Sequence, residues 1–129
     1  MPRLDIQPLH LGLGGHAVAQ PPFTGMDWYE AYGARHGADG RDGRLVSQHD
    51  FSADWDMWEI HPSGDEVVIC LAGSLTLHQD FADGTTVATS LVAGEYAINP
   101  AGCWHTADVA QTATALFITA GEGTQHRAR

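Results

Sequence analysis

From Arg44 onward the sequence alternates with a period of two, and turn residues interrupt it at short intervals. The segments "RLVSQHDF", "DWDMWEIH", "EVVICLA", "SLTLHQDF", "TVATSLV" and "TATALFITA" read as strands, and "AGEYAINPAGCWHTADV" holds two more. Alternation of this kind sends successive side chains to opposite faces of a sheet. "PSGD", "ADGT" and Pro100-Ala101-Gly102 carry turn chemistry. No long helix is available to carry parallel crossovers, so the chain is expected to be all-β, a sandwich or barrel of short strands. Residues 25–36, "GMDWYEAYGARH", read as one short helix with Met26, Tyr29 and Tyr32 at three-residue spacing. Residues 1–24 read as irregular and "GADGRDGR" as a turn-rich loop. The expected division is an arm with a short helix over 1–43, a barrel over 44–120 and a tail over 121–129.

Charge removes several classes of partner. The formal net charge is −10 and there is no lysine; of the arginines only Arg35, Arg41 and Arg44 lie away from the termini. A nucleic-acid or anionic-membrane partner would be repelled. Chemistry that needs a lysine amine, such as Schiff-base formation, is excluded. Cys70 and Cys103 are too few for a disulfide framework, though one bridge is compatible with the sequence. "LHLGLGGHAVAQ" is mildly apolar and ends in Ala-Val-Ala, but it contains His10, His16 and three glycines behind a single Arg3. It reads as an N-terminal arm rather than a leader, and a cytoplasmic protein is expected. Gly12, Gly14 and Ala17 fit a loose G-x-G-x-x-A pattern without the strand–turn–helix unit that a dinucleotide site requires.

The chemistry concentrates in "WEIHPSGDEVVICLAG", Trp58 to Gly73. Trp55, Met57, Glu59 and His61 share one face of a strand, so Glu59 and His61 can converge on one ion. Glu66 joins them if the turn before it folds the chain back, and His105 is the candidate fourth ligand. The alternative is a set of polar residues at strand ends, with Glu59 and His61 paired to each other. Two carboxylates facing one barrel interior without a cation would repel each other and lose solvation.

These residues resemble the two motifs of the cupins, G-x5-H-x-H-x3–4-E-x6-G and G-x5-P-x-G-x2-H-x3-N. His61, Glu66 and Gly73 match the first in register, and Gly94, Pro100, Gly102 and His105 match the second. Ala53 replaces the opening glycine, Val109 the closing asparagine, and Glu59 the first histidine. The resemblance covers about residues 44–120. It implies a jelly-roll (double-stranded β-helix) barrel, often paired into a homodimer, with one divalent metal ion held by Glu59, His61, Glu66 and His105. Two carboxylates favour harder ions such as Mn²⁺ or Fe²⁺, and Zn²⁺ also suits the set; Ni²⁺ is a further candidate.

The leading expectation is a metal-dependent enzyme on a small polar molecule: a dioxygenase with iron, or an isomerase or lyase with manganese, zinc or nickel. The alternative is a non-catalytic cupin that binds a small ligand or metal, and a metal-free structural barrel is a third reading. Tyr96 and His49 are the candidate proton-transfer groups. Tyr96 and Met57 could line the cavity. Asp65 reads as a turn residue, Cys103 as structural, and His10, His16, His36, His78 and His126 as surface residues. Trp55 and Trp58 fall on opposite faces, so at least one packs away from the ligand, against a second subunit in one reading.

Overall fold

A computed structural model describes residues 1–129. Strands β1 (Leu9–Leu11) and β2 (Ala17–Ala19) form a hairpin ahead of the single α-helix, α1 (Met26–His36), and a 3₁₀ turn follows over Gly37–Asp42. The barrel strands are β3 (Arg44–Phe51), β4 (Met57–Ile60), β5 (Glu66–Asp80), β6 (Thr86–Val92), β7 (Tyr96–Asn99), β8 (Trp104–Asp108) and β9 (Ala113–Thr119), and β10 (Gln125–Ala128) ends the chain. All strand pairs are antiparallel. The all-β expectation with one short helix holds.

The long strand β5 links the two sheets of the barrel. Its first half pairs with β7 and β9, and its second half with β6 and β8. The first sheet continues through β3 to the β1–β2 hairpin, and the second through β4 to β10. "EVVICLA" and "SLTLHQDF" were expected as two strands with a turn at Gly73; instead one strand passes through, with a bulge between Cys70 and Ala72. A bulge bends and twists a strand without ending it, and so lets one strand serve both sheets. Gly73 has φ +69°, and a Cβ there would lie 2.1 Å from the Thr112 carbonyl oxygen. Only glycine fits that approach.

The core lies between the sheets: Val68, Cys70, Leu75, Leu77, Leu91, Ala107, Val109, Ala113, Ala115 and Phe117. Both cysteines are buried and free. Two expectations for the ends of the chain are corrected. The irregular arm contains the β1–β2 hairpin, and the tail supplies β10, which pairs with β4. Both segments are short and lack strong alternation, so their pairing follows from the sheet edges they extend. No helix is long and apolar enough to cross a membrane.

The arm is fixed by a polar network that period-two reading does not reveal. His10 is 1% exposed, not a surface residue. Its Nε2 is 2.7 Å from Asp39 Oδ2, its Nδ1 is 2.6 Å from Tyr32 Oη, and its ring stacks on His36 at 3.9 Å. Arg35 donates to Gln20 Oε1. These contacts hold α1 against the hairpin and across the mouth of the barrel.

Candidate metal centre

Strand register brings the four expected ligands together in two rows. In one sheet Glu59 on β4 stands opposite His105 on β8 and opposite His126 on β10, while His105 also faces Gln79 on β5. In the other, Glu66 at the start of β5 lies between Asn99 on β7 and Thr119 on β9. His61 follows β4, and the turn after it returns the chain to Glu66. The ligand atoms of Glu59, His61, Glu66 and His105 all lie within 4.8 Å of one another.

Distances and directions together describe what this cluster can hold. His61 Nε2 is 2.8 Å from Glu59 Oε1 and 3.0 Å from Glu66 Oε2; His105 Nε2 is 3.2 Å from Glu66 Oε1 and 3.7 Å from Glu59 Oε1. Despite these separations neither Nε2 makes a hydrogen bond, because the ring N–H directions miss the oxygens. Both nitrogens are buried, and a buried polar atom without a partner is costly. Metal–ligand bonds of about 2.1 Å at right angles put neighbouring donor atoms about 3.0 Å apart. The donor set therefore fits one divalent ion between the four groups.

The remaining polar atoms of the ligands are occupied. Thr124 Oγ1 gives its only proton to the Gly121 carbonyl at 2.8 Å, so its 2.8 Å contact with His61 Nδ1 makes that ring nitrogen the donor. His105 Nδ1 lies 3.4 Å from the Cys103 carbonyl, which can only accept. In each neutral ring the lone pair is then on Nε2, the atom that faces the carboxylates. Glu66 Oε1 accepts from Asn99 Nδ2 at 3.1 Å and Oε2 from Thr119 Oγ1 at 2.6 Å. Asn99 accepts in turn from Gln79 Nε2 at 2.8 Å. Glu59 Oε2 is 2.9 Å from His126 Nε2, leaving Oε1 directed into the cluster.

Protonation follows the same balance. Burial alone would raise the Glu59 and Glu66 carboxyls, but contacts with His105 and His61 outweigh it and hold both below the usual carboxylate range. Burial alone would lower the two imidazoles, but Glu59 and Glu66 outweigh it and raise each to about 9. Metal-free, the cluster is two carboxylates and two imidazolium rings. A divalent ion carries the charge of the two Nε2 protons it would displace.

A cavity of about 1250 Å³ opens onto Glu59, His61 and Glu66. Trp55 and Met57 line it, as the shared strand face predicts, and His49 lines it from β3. Burial lowers the pKa of His49. Tyr96 is a correction: it is 65% exposed and does not line the cavity. Its place on β7 turns it outward, since Ala97 packs on the core and Tyr96 alternates with it. The tyrosines in the cavity are Tyr29 and Tyr32 of α1. Burial raises the Tyr29 phenol to about 12, with the negative charges of Glu59 and Glu66 adding to the effect.

Other residues also find their places. Asp65 accepts from the Ala101 backbone N–H and so fixes the turn before His105. Cys103 Sγ donates to the Asp80 and Trp104 carbonyls. Trp58 and Trp104 take the Arg127 guanidinium between them, 5.0 and 4.6 Å from the ring centroids, which ties β10 to the barrel. His126 lies at the surface as expected, and its ring also reaches Glu59. Sequence reading missed Gln79, Asn99, Thr119, Thr124 and His126. Cross-strand register could have found four of them, all but Thr124, but register is set by pairing partners that a single sequence does not display.

A second cluster, His10, His36 and Asp39, has comparable spacing but different directions. There the His10 nitrogens point at their partners and form ordinary hydrogen bonds. It is a structural network.

No protein-family model and no curated protein matches the chain. Solved structures do. An oxalate oxidase superimposes with a TM-score of 0.55 at 18% identity, over 63% of this chain and 44% of that one. The hydroquinone 1,2-dioxygenase from Sphingomonas sp. TTNP3, with 4-hydroxybenzoate bound, gives 0.51 at 16% identity, over 59% and 58%. A cupin-2 domain protein from Shewanella frigidimarina gives 0.49 at 24% identity, over 58% and 68%. The chain thus spans about half the length of the first two, and at these identities the likeness is one of fold. With its two sheets, its register and the first two of these neighbours, the chain has the jelly-roll barrel fold that those structures share.

Proposed function

We propose that the chain is a metal-dependent cupin enzyme acting on a small molecule, with one divalent ion held by Glu59, His61, Glu66 and His105. The observation that carries this reading is the pair of buried Nε2 atoms, of His61 and His105, that have no hydrogen-bond partner although carboxylates stand beside them. An ion there would supply Lewis-acid polarisation of a substrate oxygen, or redox chemistry if it is iron. The chain's own residues do the rest. Thr124 and the Cys103 carbonyl set the imidazole tautomers, Asn99 and Thr119 anchor Glu66, and His126 anchors Glu59. The cavity admits the substrate, and Tyr29, His49 and His126 are among the groups in it that can carry a proton.

Elemental analysis of tag-free protein purified without chelators tests the reading, beside a His61→Ala/His105→Ala variant. Near-stoichiometric metal in the native chain and none in the variant is the expected result. A native chain that takes up no metal after reconstitution would sink it. The cavity gives the enzyme reading its advantage over a closed storage site, because the ligand cluster opens onto it. A homodimer is also proposed, with the exposed Leu71, Val92, Tyr96 and Ile98 as the apolar residues that a second copy would cover; a monomer mass in sedimentation equilibrium would refute it.

A further inference from the structure

The lining of the cavity is specific in what it contains and in what it lacks. Phe51, Trp55 and Phe117 form one aromatic wall on the barrel, with ring centroids 5.5–6.1 Å apart. Phe23 and Tyr29, 5.4 Å apart, form a second on the arm, and His49 lies between Phe23 and Phe117. Trp55 also meets the His105 ring at 6.3 Å, so the barrel wall runs up to a metal ligand.

No arginine lines the cavity, and the chain has no lysine. Besides Glu59 and Glu66, the lining includes Glu30, Asp54, Asp56 and Glu122. A divalent ion would neutralise the two ligand carboxylates and leave these four. Asp54 accepts one backbone N–H, from Val109. The histidines do not offset this charge. Burial lowers His36 and His49, while His10 and His126 already stand against Asp39 and Glu59.

We infer that the substrate of this site is a small aromatic molecule without negative charge, held flat between the two aromatic walls with one polar end toward Glu59 and His61. The inference rests on the enzyme reading above and narrows it to a substrate class. Aromatic faces reward a flat ring by stacking, and they tolerate or attract a cation. A carboxylate would enter a pocket of like charge with no guanidinium or ammonium to meet it. Small dicarboxylates are excluded on the same ground.

Calorimetric titration of manganese-loaded protein with three probes tests this. They are 4-methylphenol, tyramine and 3-(4-hydroxyphenyl)propanoate, the last two differing mainly in the sign of their charge. The neutral and cationic probes should bind at least about tenfold more tightly than the carboxylate, the size of effect that a few like charges supply. Trp55→Leu should weaken both. The Glu30→Gln/Asp56→Asn/Glu122→Gln variant, altered only at exposed positions, should close most of the gap between tyramine and the propanoate while leaving 4-methylphenol unchanged. A carboxylate that binds as tightly as tyramine, or absence of binding by both favoured probes, would overturn the inference. Metal content measured on the same samples separates the two readings. The expected probe order in protein that holds no metal would leave the substrate class standing and the metal centre refuted. Full metal loading with the order reversed would do the opposite.

Discussion

His61 Nδ1 donates to Thr124 Oγ1 because Thr124 has already given its own proton to the Gly121 carbonyl. A single hydroxyl, on the turn before β10, thereby fixes which nitrogen of a buried histidine is left to bind an ion. Thr124→Val keeps the shape and removes the acceptor. Metal affinity should fall by about 10- to 100-fold, as found when the partner of a ligating histidine is lost. Competition with a chelator of known affinity measures it. Thr124→Ser should stay near the native value, and a valine variant with native affinity would show that Thr124 does not set the ring.

The phenols of Tyr29 and Tyr32 are both raised to about 12, chiefly by burial. The folded chain therefore keeps these protons to higher pH than the unfolded chain, whose tyrosines ionise near the ordinary value of 10. Stability should accordingly be unaffected below about pH 10 and fall between about 10 and 12. Ultraviolet difference titration of the native chain, with Tyr29→Phe and Tyr32→Phe alongside, should assign two late-ionising phenols to these positions. Ionisation of both near 10 would mean that α1 does not pack these two rings against the rest of the chain.

Gly73 carries positive φ inside a continuous strand, with the Thr112 carbonyl where a side chain would be. Gly73→Ala should cost about 3 kcal/mol or more, the range for backbone strain combined with overpacking. Urea unfolding should show a lower midpoint at an unchanged slope. The proposed ligands Glu59 and His105 are remote in sequence from this bend, but Glu66 starts the same strand, so loss of metal affinity should accompany the loss of stability.

Much of the barrel was legible because alternation and turn chemistry act locally. "RLVSQHDF" became β3 residue for residue, and α1 lies within the expected helix. The convergence of Glu59, His61, Glu66 and His105 was legible for a different reason: they sit at or near strand ends whose spacing is fixed by turns. What supports them was not legible. Asn99 and Thr119 reach Glu66 from strands remote in the chain, and His126 reaches Glu59 from a segment with no strand pattern of its own. Tyr96 shows the converse failure. It lies close to the second motif in sequence, yet strand alternation turns it outward, and the phenol beside the cluster comes from α1.

The hydrogen bonds of His10 and the Arg35–Gln20 contact secure an arm that shapes the mouth of the cavity without contributing any metal ligand. This separates reactivity from selectivity along the chain. Residues 1–43 can be exchanged or mutated to admit a different guest while the barrel keeps its four proposed ligands in place, so two proteins with the same barrel chemistry but different arms would be expected to serve different substrates.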